Sequence, residues 1–133
     1  MPNEFVWVDP DDLIEQNQIA VEATGEVHFV RDRALLEMAC HNPQNRQHYD
    51  GEDDPITLAV SLLTAVANAH AFEQGNKRTG FMAMQLFLLR NGLEYAGPDG
   101  VDFAEDIIDL ITGQRSAEWF EDVIAEYVIE AVA

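Results

Sequence analysis

Two apolar stretches of this chain meet at a polar junction. Ile56 to Phe72 contains no charged residue, and Phe81 to Leu89 is almost wholly apolar and rich in helix formers. Both read as buried helices, because a helix that is apolar on most sides must lie inside the molecule. Asp9-Pro-Asp-Asp starts an earlier helix, with Asp9 as cap, Pro10 in the first turn and two acids against the positive end of the dipole. That helix runs to about Ala23, and Gly25 ends it. A second begins near Asp32, sets Leu35, Leu36 and Ala39 on one face and stops before Pro43, since the residue preceding a proline disfavours helical backbone. Asn42 to Asp54, polar and without apolar periodicity, reads as a surface loop. Asp54-Pro55 opens the third helix, and Thr79 to Arg90 forms the fourth, stopped by Asn91-Gly92. Gly97-Pro-Asp-Gly100 is a turn, and Phe103 to Thr112 is a fifth helix. Ser116 caps a sixth, in which Trp119, Phe120, Val123, Ile124, Tyr127 and Val128 recur at helical spacing. The pattern predicts an all-α, single-domain bundle of about six helices over residues 1–133, without linker or repeat.

Composition narrows what such a bundle can bind. The chain has 25 acidic and 7 basic residues, a net charge of −18, so neither nucleic acid nor an anionic membrane is attracted to its surface as a whole. Any phosphate binding must be local. With 133 residues and 47% hydrophobic content, one core is expected. Ile56 to Phe72 is short for a membrane span and carries Ser61, Thr64, Asn68 and His70. Cys40 stands alone, which excludes a disulfide within the chain, and the start Met1-Pro-Asn-Glu-Phe lacks a basic, then apolar, leader. These features read as a cytoplasmic protein.

The junction His70-Ala-Phe-Glu-Gln-Gly-Asn-Lys-Arg-Thr-Gly80 holds a base, two cations and several amides. Gly75 lets the backbone approach a ligand, and the amides of Asn76 to Thr79 are expected to lack partners at the start of the next helix. Free amides and the positive end of the helix dipole make an anion site. Lys77 and Arg78 add full charges, the guanidinium able to hold two phosphate oxygens at once. His70, read as lying in the last turn of the preceding helix, is placed to take a proton from an attacking hydroxyl.

At these residues the chain resembles the Fic/Doc family, whose motif runs His-x-Phe-x-Asp/Asn-Gly/Ala-Asn-Gly/Lys-Arg. His70, Phe72, Gly75, Asn76, Lys77 and Arg78 match it, and Lys77-Arg78-Thr79 resembles the Doc branch, where Lys replaces the Gly of the AMP-transferring enzymes. Phe5-Val-Trp-Val-Asp, Arg31 to Ala39 and Phe87 to Leu93 also look like Doc-type sequence. The resemblance implies a mostly helical fold and a transferase using ATP or another nucleoside triphosphate. In it His70 is the base, Arg78 and the amides from Gly75 to Thr79 stabilise the transferred phosphate, Asn76 positions it, and Lys77 changes how the nucleotide lies. It further implies γ-phosphoryl transfer to a threonine of elongation factor Tu, a block of translation, and a partner antitoxin acting in trans. The self-inhibiting pattern Ser/Thr-x-x-x-Glu-Gly/Asn is not found in the chain. Transfer of AMP is the nearer alternative.

Two positions depart from the family pattern. Gln74 stands where an Asp is expected to bind Mg2+, and an amide is the weaker ligand for a hard cation. Glu73 is the adjacent candidate for that role. The departure keeps open a nucleotide-binding module without chemistry. Phe81 takes the place of the second Arg of the AMP-transferring motif, which favours the Doc branch. The family also carries a flap that aligns the target segment, which puts Arg46 and Tyr49, in the Asn42 to Asp54 stretch, forward as target contacts.

Overall fold

Aspartates start the first three helices, as the capping signals predict. In the computed structural model, which describes residues 4–132, α1 is Pro10–Ala23, and Asp9 and Asp12 close a capping box with two 3.0 Å bonds. Met1–Asn3, part of the start read for a leader, lies outside the described residues. Asp32 caps α2 (Arg33–Asp50) by accepting from the Leu35 amide, and Asp54 caps α3 (Pro55–Ala69) by accepting from those of Ile56 and Thr57. The fourth helix, α4 (Asn76–Arg90), begins on Gly75 and has no side-chain cap. Its first amides are therefore left for another partner.

The chain-centre helices form the core. Leu58, Leu62, Leu63 and Val66 of α3 are fully buried, and they pack against Phe81, Met84, Phe87 and Leu88 of α4. Burying each such side chain contributes roughly 1.5–3 kcal/mol. The two backbones approach closely at Gly80, where an added Cβ would stand 2.8 Å from the Leu63 carbonyl oxygen. Leu13 of α1 and Leu36, Ala39 and Cys40 of α2 extend the same cluster on one side. After β1 (Leu93–Tyr95), α5 (Ala104–Ile111) adds Ile107 and Leu110, and α6 (Ala117–Ala125), capped by Ser116, adds Phe120 and Ile124. No helix among the described residues is long and apolar enough to cross a membrane.

The six-helix reading holds, with corrections to its connections. The second helix does not stop before Pro43 but runs through it to Asp50. Pro43 is buried against the core, and its missing N–H removes only the bond to the Ala39 carbonyl. Beyond it, bonds from Arg46 to Ser61 and from Gln47 to Asp53 hold the extra turns, until Gly51 ends the helix at φ 70°. Asn42 to Asp50 is thus helix rather than loop. The last helix stops at Ala125, and Val128 lies instead in β2 (Val128–Glu130), antiparallel to β1 with Leu93 opposite Glu130 and Tyr95 opposite Val128. The β-branched pair Val128-Ile129 suits the strand, and Gly92, at φ 83°, turns the chain out of α4 into its partner.

Candidate active site

The polar junction is built by a sharp turn at the end of α3. His70 is its C-cap, in left-handed conformation at φ 50°, and is the one non-glycine among the described residues with positive φ. Such backbone costs of order 1–3 kcal/mol and persists where its surroundings enforce it. Here they do. Ala71 and Phe72 next to it are fully buried, the Ala71 carbonyl accepts from the amides of Arg31 (2.7 Å) and Asp32 (3.1 Å), and Phe72 bridges to Val30. The exposed imidazole of His70 is thus carried on a fixed stem.

Asn76 closes the loop from the other end. Its side-chain amide donates to the Phe72 carbonyl at 2.9 Å and accepts from the Phe72 amide at 3.1 Å. Its side chain therefore braces the turn, with its backbone N–H and the second N–H of Nδ2 left without a partner among the described residues. Gly75, at φ 76°, has no room for a side chain, because an added Cβ would lie 2.8 Å from Val21 Cγ1 and 3.2 Å from Asn17 Nδ2. The first bond of α4 runs from the Thr79 amide to the Gly75 carbonyl at 2.8 Å. The amides of Asn76, Lys77 and Arg78 precede it without a backbone partner, while that of Thr79, expected to be free, is bonded.

Lys77 and Arg78 diverge. The Arg78 guanidinium donates to Glu26 (2.5 Å), to the Thr24 hydroxyl (3.1 Å) and to the Ala20 carbonyl (3.4 Å), which ties α4 to the end of α1. The Thr24 hydroxyl and then this guanidinium hold the Glu26 carboxyl below its usual range. Lys77 is exposed, and its ammonium has no partner among the described residues. Thr79 is buried, its hydroxyl accepting from Asn17.

One cavity of about 640 Å³ gathers His70 and Glu73 to Arg78 along a polar side. Facing them are Phe81 and the apolar residues of α5, Ile107, Ile108 and Ile111. Phe81 is held edge-on by Tyr95 at 5.5 Å and flanked by Phe103 at 6.3 Å. A polar rim with anion-binding amides opposite an apolar wall suits a nucleotide, whose phosphates and ring systems ask for different surroundings.

The family is legible well beyond the site. The model of the Fic/DOC family matches residues 7–88. The chain is 36% identical to "Toxin Doc" of Mycolicibacterium smegmatis over 106 residues, 79% of either chain. The chain belongs to the Fic/DOC family. It is also 26% identical to "Protein kinase doc" of Escherichia phage P1 over 117 residues, 88% of this chain and 91% of that one.

In this Fic/DOC chain the two residues read as metal ligands, Glu73 and Gln74, both line the cavity. Glu73 is exposed and pairs with Arg31 at 3.5 Å, Gln74 brings a neutral amide, and no group of three or more His, Cys, Asp or Glu among the described residues is placed to hold an ion. Arg46 and Tyr49 are not on a flap. Both lie in α2, where Arg46 bonds Ser61 beside a separate cavity of about 320 Å³ and Tyr49, 77% exposed, stacks edge-on with His48. The extended chain beside the Fic/DOC motif is instead Val27 to Arg31, where the Phe29 carbonyl accepts from the Glu73 amide at 3.0 Å. Sequence reasoning passed over that segment, Glu26 and Asn17. Asn17 left one signal, since it is the polar member of the stripe Leu13, Asn17, Val21 that α1 buries.

Proposed function

We propose that this chain is a Doc-like toxin that moves the γ-phosphoryl group of a nucleoside triphosphate onto a protein hydroxyl. The observation that carries the reading is the row of unpartnered amides from Asn76 to Arg78, with the unpaired Lys77 ammonium, in the cavity that His70 also lines. His70 takes the proton of the target hydroxyl as its oxygen bonds the γ-phosphorus; the bond from that phosphorus to the bridging oxygen breaks, and the nucleoside diphosphate leaves. The amides and Lys77 neutralise charge on the transferred group. Arg78 supports them by fixing the start of α4 to α1, a different role from the direct clamp expected of it. A magnesium ion accompanying the substrate is held chiefly by the nucleotide's own phosphates in this reading.

The target segment lies along Val27 to Arg31, whose backbone is extended on the edge of the site with Val27 and Phe29 exposed. By likeness to the Doc branch, the target is a threonine of elongation factor Tu, translation stops, and a cytoplasmic antitoxin restrains the toxin by covering the pocket. Transfer of AMP is the nearer alternative chemistry. A second reading, a nucleotide-binding module without turnover, is favoured by one observation: neither Gln74 nor the Arg31-paired Glu73 supplies a free carboxylate. Incubating the chain and its His70→Ala variant with bacterial lysate and ATP labelled at the α- or γ-phosphate separates these. γ-Label on a protein of elongation-factor size, lost in the variant, supports the kinase. α-Label selects AMP transfer, and binding without transfer selects the module.

A further inference from the structure

No residue of α1 lines the cavity, yet one of its side chains sets the loop that does. Asn17 is fully buried in the apolar stripe of α1, where an amide is tolerated only if its hydrogen-bonding groups are satisfied. Its Nδ2 donates to the Gln74 carbonyl at 2.8 Å and to the Thr79 hydroxyl at 3.0 Å. Its Oδ1 lies 2.7 Å from His28 Nδ1. Because the Gln74 carbonyl can only accept, the amide has one possible orientation, and His28 must present an N–H to Oδ1. The side chain thus joins three parts of the site: the extended segment, the loop and the first turn of α4.

We infer that Asn17 is the positioning residue of the anion loop, an inference that rests on the phosphate-transfer reading of the site. The Gln74 carbonyl and the Gly75 N–H belong to one planar trans peptide and point in opposite directions. Holding the carbonyl against α1 turns the Gly75 N–H away from α1, to the side on which the cavity lies. Gly75 in left-handed and Asn76 in right-handed conformation then bring successive N–H groups into one concavity, the geometry that cradles a phosphate. Only glycine fits there, since any Cβ at position 75 would enter the space of Val21 and of Asn17 itself. The ligand addressed is the polyphosphate of the nucleotide, independent of its base.

Asn17→Asp tests this with the full chain. The new carboxylate keeps the size, the bond from His28 and an acceptor for the Thr79 hydroxyl, but opposes the Gln74 carbonyl with a second oxygen and turns that peptide. The expected result is at least a roughly tenfold loss of affinity for both ATP and inorganic pyrophosphate, the effect of removing a well-aimed donor from a charged ligand. The KM for ATP rises more than kcat falls. The amide resonance of Gly75 moves even without ligand, while the melting temperature stays well above that of the assay. A folded variant that binds both ligands as the parent does, or whose Gly75 amide is unmoved, overturns the inference. Were the parent to bind neither ligand, the phosphate-transfer reading would fall, and the Gly75 amide would still decide whether Asn17 sets the loop. If Asn17→Asp does not fold, Asn17→Ser, which fits the space and is too short to reach Gln74, carries the same expectations.

Discussion

The Arg78 guanidinium lies 2.5 Å from the Glu26 carboxylate, across from the end of α1, while Lys77, its neighbour in sequence, has no partner among the described residues. Adjacent positions on a helix point in different directions, so two cations that look equivalent in sequence serve different ends. One fastens the loop and the other is available to a ligand.

Lys77→Ala is expected to weaken ATP binding by about tenfold, the scale of one charge-assisted contact, and to leave the melting temperature unchanged. Arg78→Ala is expected to lower the melting temperature as well, because it releases α1 and leaves Glu26 unpaired beside the site. Lys77 is the only lysine of the chain, so amine-reactive labelling read by peptide mass follows it directly. ATP should protect it. Unchanged labelling under saturating ATP would contradict the role given to it.

Gly75→Ala is expected to destabilise the chain by about 2 kcal/mol or more, from strain at positive φ and from contact with Val21. Val21→Ala relieves the contact and not the backbone, so Gly75→Ala should cost less in the Val21→Ala background than in the parent while still costing the strain of the positive φ. Urea unfolding of the four proteins measures the coupling.

Asn76→Ala breaks both bonds to Phe72 and leaves the Phe72 N–H and C=O without these partners, at about 1–3 kcal/mol. Transfer should fall by more than stability does, because the turn that presents His70 is the part released. Asn76→Asp retains the acceptor and loses the donor, and is expected to lie between. Equal activity in all three proteins would show that the brace does not govern His70.

Glu121 gives a pH-dependent test of the core's rim. Burial pushes its carboxyl above the usual 4.5, partly offset by the bond it accepts from Thr57, and Glu118 and Asp54 add to the rise. A carboxyl whose folded pKa is raised binds its proton more tightly folded than unfolded, so its ionised form opposes folding at neutral pH and this penalty fades as pH falls through the folded pKa. Glu121→Gln is therefore expected to be more stable at pH 7, by under about 1 kcal/mol after solvent screening, with the gain gone below the usual value of 4.5. Melting curves of the two proteins across that range check the sign.

What the sequence disclosed was whatever depends on local chemistry. Asp9, Asp54 and Ser116 cap the helices they were read to cap, and the charge-free run from Ile56 became the central helix because nothing in it could face water. His70, Gly75, Asn76, Lys77 and Arg78 were found from their spacing, and they do line one cavity. What escaped depends on partners far along the chain. Pro43 looked like a helix end, but burial and the Arg46–Ser61 bond outweigh a local preference. Val128 fits either helix or strand, and only its pairing with Tyr95 decides. Arg78's attachment to Glu26 and Asn17's hold on Gln74 join positions 52 and 57 residues apart, which no periodicity reports.

The most direct test of the account is the intact mass of purified elongation factor Tu after incubation with ATP and this chain, in parallel with His70→Ala. The expected result is the gain of a single phosphoryl group on a threonine, absent with the variant. Equal modification by His70→Ala would remove His70 as the base, and an unmodified factor or the gain of AMP would contradict the proposed reaction.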